Sequence, residues 1–148
     1  MIPDFDDNDN LPPGTHSATL SGVLKRFGSG SPKRKYLTKH LRELLVLLRN
    51  VAIGVYIDGS YITRKLAPHD VDLLILLPRD FDWDGPEGRK LEACCKEEWK
   101  RKQKEEHRLH IYYGVPGEDV KHMRSLVRTW TRDRNSKPKG IVYVELRG

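Results

Sequence analysis

"YIDGSYITRKLAPHDVDLLILLP", residues 56–78, sets a Gly-Ser pair ahead of an Asp-x-Asp pair, with an apolar run on either side. The second run, "VDLLILL" (71–77), is nearly continuous and stops at Pro78. That is the pattern of a central strand covered on both faces. "IGVYI" (53–57) is short, β-rich and bounded by Asn50 and Gly59, which predicts a second strand. Asp70 and Asp72 lie two apart on a strand, so their carboxylates project from one face. Two acids held that close repel each other unless a cation sits between them. Oxygen ligands of this type suit Mg²⁺ (or Mn²⁺), whose remaining positions take water and substrate phosphates. Gly59 permits a tight turn that a residue with a Cβ resists. Ser60 offers a hydroxyl and backbone N–H groups to an anion. Together the two pairs predict a site for a metal and a nucleoside triphosphate, provided the two strands are neighbours.

Outward from this stretch, the patterns predict a helix from about Lys33 to Asn50, with Tyr36, Leu37, His40, Leu41, Leu44, Leu45 and Leu48 on its inner face. A charged helix is expected from about Glu87 to Glu106, with Leu91, Cys94, Cys95, Trp99 and Lys102 inward. "HRLHIYYGV" (107–115) reads as a third strand, 118–132 as a helix, and "GIVYVEL" (140–146) as a fourth strand. A short helix is expected over Ser17–Phe27. Residues 1–16, with turn formers and three prolines among the first 15, read as an irregular N-terminal arm. "GSGSPKRK" (28–35) lacks the Gly-Lys-Ser/Thr ending of a phosphate loop, and Pro32 more simply starts a helix. The expectation is one α/β (α+β) domain over 1–148, a mixed β-sheet flanked by helices.

At 148 residues the chain can bury a real core, and 37% apolar with 32% charged residues is a globular profile. No apolar run approaches the roughly 20 residues needed to cross a bilayer. The acidic start "MIPDFDDNDN" lacks the basic flank and apolar stretch of a signal peptide, and adjacent Cys94 and Cys95 match no zinc spacing. A cytoplasmic protein with reduced thiols is the expectation. The formal charge is +6, with acids alone in the first ten residues and basic clusters at 25–42 and 96–108. Such a balance favours polyanionic partners, although a solvated basic surface explains it equally well.

"DGSY…PHDVDLLI" resembles the signature of the polymerase-β-type nucleotidyltransferase superfamily. The opening "MIPDFDDNDNLPPGTHSATL", the "YIDGS" strand and the closing "RDRNSKPKGIVYVEL" resemble the landmarks of a family of small bacterial proteins of unknown function within it. The resemblance spans nearly the whole chain. It implies a minimal nucleotidyltransferase-like fold and transfer of a nucleotidyl group from an NTP to a hydroxyl, with loss of pyrophosphate. Gly59 and Ser60 would hold the β and γ phosphates, and Asp70 and Asp72 two Mg²⁺ ions. It also implies a toxin–antitoxin or phage-defence role, with a tRNA end, another RNA or a cognate protein partner as acceptor. A third carboxylate is expected on the following strand, and "HRLHIYYG" has none. His110 is the polar residue best placed to face the site, with Arg108 and Tyr112 on the same side; an imidazole accepts a proton or ligates a metal.

Arg64 and Lys65 could neutralise triphosphate charge, or simply lie on a solvated loop. Arg128, Arg132, Arg134 and Lys139 are candidates for a basic rim that contacts phosphate or RNA, against ordinary surface placement. His69 reads as structural, Trp83 as a loop anchor, and Trp99 and Trp130 as core. A non-catalytic module that keeps the fold and binds a nucleotide or partner stands as the alternative. A metal-dependent nuclease would want Glu-x-Lys on a neighbouring strand, and Glu98-Trp99-Lys100 falls in a helical pattern instead.

Overall fold

The computed structural model describes residues 2–118 and 120–146. Among the described residues five strands form one mixed sheet, and five helices accompany it, an α/β fold as expected. The strands are β1 (Gly14–Ala18), β2 (Gly54–Asp58), β3 (Val71–Leu76), β4 (Leu109–Gly114) and β5 (Gly140–Glu145). Their spatial order is β1-β5-β2-β3-β4. β2 is antiparallel to both of its neighbours, while β4 runs parallel to β3 and β1 parallel to β5.

The helices are α1 (Leu20–Phe27), α2 (Pro32–Leu48), α3 (Pro86–Cys95), α4 (Glu97–His107) and α5 (Val120–Trp130). The α2 helix starts where Ser31 accepts a hydrogen bond from the Arg34 N–H at 3.1 Å, with Pro32 in the first turn. Its leucines 37, 41, 44, 45 and 48 are buried against the main core, which also takes Val55, Ile57, Leu73 and Ile75 from one face of the sheet. Tyr36, expected inward, is 40% exposed. On the other face a smaller apolar cluster joins Leu74, Leu76 and Ile141 to Trp130, Met123, Leu126 and Val127 of α5. No helix among the described residues is long and apolar enough to cross a membrane.

The sheet has five strands where four were expected. Residues 14–18, divided in the sequence reading between an irregular arm and a helix, form β1 instead. "GTHSA" has little strand propensity of its own; its pairing with β5 and the buried anchor Leu11 impose the conformation. The following helix begins only after Thr19, whose hydroxyl oxygen accepts from the Gly22 N–H at 3.0 Å. The single helix expected over 87–106 breaks at Lys96, whose backbone is extended (φ −68°, ψ 138°). No Gly or Pro marks the break. Leu91 and Cys94 of α3 are buried whereas no α4 side chain is, Lys102 included, so the two halves meet different surroundings.

Candidate metal centre

β2 ends at Asp58, and Gly59 turns the chain away from the sheet at φ +93°, ψ 177°. Only glycine occupies that region readily. A Cβ there would stand 2.9 Å from the Asp70 carbonyl oxygen and 3.1 Å from the Asp72 nitrogen. The glycine therefore lets the turn press against the start of β3. The short 3₁₀ turn Ser60–Ile62 is then tied to that strand by Tyr61 N–H donating to the Asp70 carbonyl at 3.1 Å.

Ser60 is fully engaged. Its hydroxyl donates to Asp70 Oδ1 at 2.7 Å and accepts from the backbone N–H groups of His69 (2.8 Å) and Asp70 (3.2 Å). Its own N–H donates to the same Asp70 oxygen at 3.0 Å. Burial alone would raise the Asp70 pKa, but these donors, with smaller help from His110 and His69, hold its carboxyl below the usual value. Beneath the turn lies Arg34, a buried arginine with no carboxylate partner among the described residues. Its guanidinium donates to the carbonyls of Phe27, Tyr61, Thr63 and Lys65 at 2.6–3.1 Å. One α2 side chain thus fixes the path of residues 61–65.

Asp72 sits opposite His110 in the parallel pairing of β3 with β4, and His110 Nδ1 lies 3.1 Å from Asp72 Oδ1. Ligand atoms of Asp70, Asp72 and His110 all fall within 4.8 Å of one another, and all three residues are half-buried. Two carboxylates and an imidazole in such a space could hold a divalent ion. The mixed oxygen and nitrogen donors accommodate Mn²⁺ more readily than Mg²⁺, which favours oxygen alone.

A further acid escaped the sequence reading. Asp58 pairs directly with Asp72 across the antiparallel strands, so Asp58, Asp72 and His110 form one row on one face of three adjacent strands. Asp58 is 3% exposed and ion-paired with Lys139, which enters from the head of β5. Burial pushes its pKa up to about 6, Lys139 opposes that rise, and the nearby Asp72 charge adds to it. The signal was present in the sequence: an acid closing the strand that partners the Asp-x-Asp strand. Recognising it required the register.

Other expected residues are placed differently. Lys139, expected on a basic rim, is turned inward onto Asp58, because a buried carboxylate needs a cation more than the surface does. Arg64 is exposed and bonded to Asp9 of the N-terminal arm at 3.2 Å. Lys65 is exposed on the same loop. Arg132 folds back onto the Ser136 carbonyl at 3.1 Å, while Arg128 and Arg134 are exposed. Arg108, expected on the site side of the third strand, instead caps α4 in the left-handed conformation at φ 59°. Tyr112 does lie on the His110 face, 38% exposed, its ring edge-on to Trp130. His69 is exposed; Trp83 is 46% exposed and packs edge-on to Phe81; Trp130 is buried and Trp99 partly so. Cys94 and Cys95 are free.

The model of one protein family, described as a family of unknown function (DUF6932), matches residues 3–145. No curated protein and no solved structure matches the chain.

Proposed function

The chain belongs to that family of unknown function, and we propose that it is a divalent-metal-dependent nucleotidyltransferase, passing a nucleoside monophosphate from an NTP to a hydroxyl. The observation that carries the reading is the convergence of Asp70, Asp72 and His110 beside the Gly59–Ser60 turn. Its motif resembles that of polymerase-β-type enzymes, and Asp58 supplies, from an unexpected strand, an acid in the same row. Asp70, Asp72 and His110 would hold the metal, which when bound would polarise the phosphate oxygens and offset their charge. The acceptor oxygen attacks the α-phosphorus, the bond to pyrophosphate breaks, and the acceptor proton passes to a base. His110 has the chemistry for that base when its imidazole is not ligating the metal. Arg64 is the exposed cation nearest in sequence to Ser60 for the triphosphate, once released from Asp9. A tRNA end, another RNA or a partner protein would supply the hydroxyl, in a cytoplasmic toxin–antitoxin or phage-defence setting.

The test is pyrophosphate release from each NTP with Mn²⁺ or Mg²⁺ and RNA or protein acceptors. Release that disappears in Asp70→Ala and Asp72→Ala supports the reading. No release under any combination, or release unchanged in both variants, overturns it. A second reading, a non-catalytic nucleotide-binding module, is favoured by one observation: the Ser60 hydroxyl and N–H are both spent on Asp70. It predicts NTP binding without release.

A further inference from the structure

Between Val120 and Arg132 the chain carries Lys121, Arg124, Arg128, Arg132 and His122, and not one acid. At 100° per residue Lys121, Arg124 and Arg128 fall on one side of α5. The opposite side, through Met123, Leu126, Val127 and Trp130, packs on the sheet. All three cations are exposed, and among the described residues none has a carboxylate partner. In α4, by contrast, four acids balance four Lys and Arg between Glu97 and His107, and Lys100 is held by Glu97 at 2.9 Å. Like charges one turn apart disfavour a helix unless an anion lies across them.

The α5 stripe also leads somewhere. Trp130, the last residue of α5, packs against Tyr112, which lies two residues along β4 from His110 on the same face of the sheet. The following turn presents Arg132 and Arg134 and returns to Lys139 at Asp58. Three α5 cations without a carboxylate partner among the described residues thus share one side of a helix that ends beside the partly exposed Tyr112 ring. Such a surface suits a phosphate backbone with an unstacked base at its end.

We infer that the acceptor is a single-stranded nucleic acid, its phosphates on Lys121, Arg124 and Arg128 and its terminal base on Tyr112. The inference rests on the transfer reading for the use of the terminal hydroxyl, but the surface can be tested by itself. A duplex fits less well, because turning its terminal base onto Tyr112 would first require that base to be unpaired and unstacked from its neighbour.

The experiment is fluorescence anisotropy with short labelled single strands of RNA and of DNA and the full-length chain in EDTA, so that no turnover occurs. The Arg124→Glu/Arg128→Glu variant is expected to bind at least about tenfold more weakly, with a salt slope shallower by about 1.4 for two lost phosphate contacts. Tyr112→Ala weakens binding and Tyr112→Phe retains it. A control reversal on α4, Lys102→Glu/Lys104→Glu, changes affinity by no more than about twofold. Circular dichroism verifies that each variant is folded. Failure of the unaltered chain to bind either strand, or equal loss in the α4 control, overturns the inference. Strand binding without any pyrophosphate release supports the surface and overturns the transfer reading. Release without strand binding overturns the surface alone and makes a protein hydroxyl the acceptor. Preference for RNA over DNA, or the reverse, identifies the strand's sugar, and either supports the surface.

Discussion

Asp58 and Lys139, distant in sequence, form an ion pair within the sheet end, with side chains only 4% and 11% exposed. The pair sews the end of β2 to the entry of β5 next to the candidate metal ligands. Removing only the cation, by Lys139→Met, leaves a carboxylate out of water with no counter-charge. It should cost about 3 kcal/mol, part of the full penalty being avoided because Asp58 can protonate. The double variant Asp58→Asn/Lys139→Met should recover most of that loss. Urea unfolding of the three proteins checks this, and a single variant as stable as the unaltered chain would refute it.

Gly59→Ala tests the turn itself. A Cβ at φ +93° is strained, and it meets backbone atoms of Asp70 and Asp72 that no rotamer can clear. A loss of about 2 kcal/mol is expected. Divalent-ion affinity should fall with it, because the displaced atoms belong to the two acid residues. Calorimetric titration with Mn²⁺ reads the second effect separately from the first.

Arg34→Met removes the donor that gathers the carbonyls of Phe27, Tyr61, Thr63 and Lys65. Four acceptors lose their partner, and at about 1 kcal/mol or more for each that stays buried the cost should reach about 3 kcal/mol. Hydrogen exchange should accelerate at Ile62 and Thr63, whose N–H groups close the 3₁₀ turn, more than in β3. Uniform acceleration across the sheet would mean that Arg34 serves general stability rather than this turn.

His110 decides which ion the cluster prefers. His110→Ala should weaken Mn²⁺ binding about tenfold, or roughly 1.4 kcal/mol, since a nitrogen donor is lost. Mg²⁺ should respond much less, because it takes oxygen from Asp70, Asp72 and water. Equal losses for both ions would show that His110 only orients Asp72.

The turn after α5 should respond to acid. Asp133 accepts from the Lys137 and Asn135 N–H groups and from Asn10, and the Lys137 backbone bond is the main cause that holds its carboxyl below the usual value. A carboxyl depressed in the folded state contributes stability above its unfolded pKa and loses it as pH falls through the folded one. Amide protection at Asn135 and Lys137 should therefore decline on acidification below the ordinary aspartate range. Asp133→Asn should abolish that dependence.

Most strands and helices were legible because their periods are local. Leu37, Leu41, Leu44, Leu45 and Leu48 recur at helical spacing and are buried; "VDLLILL" is nearly continuous and forms an interior strand. The Gly-Ser and Asp-x-Asp pairs could be found for the same reason, each being defined within a few residues. β1 could not, because "GTHSA" becomes a strand only by pairing with β5. Nor could the break at Lys96, which no Gly or Pro announces.

The sequence by itself determined which residues could bear metal chemistry and, β1 and the break at Lys96 apart, which segments would be strand or helix. Composition and periodicity act over a few neighbouring positions. Tertiary structure alone decided that Asp58 stands in line with Asp72 and His110, that Ser60 is spent on Asp70, and that Lys139 faces inward. Those facts depend on strand order and register, which the packing of the whole core fixes, and a one-residue slip of β2, β3 or β4 would turn Asp58, Asp72 or His110 to the other face.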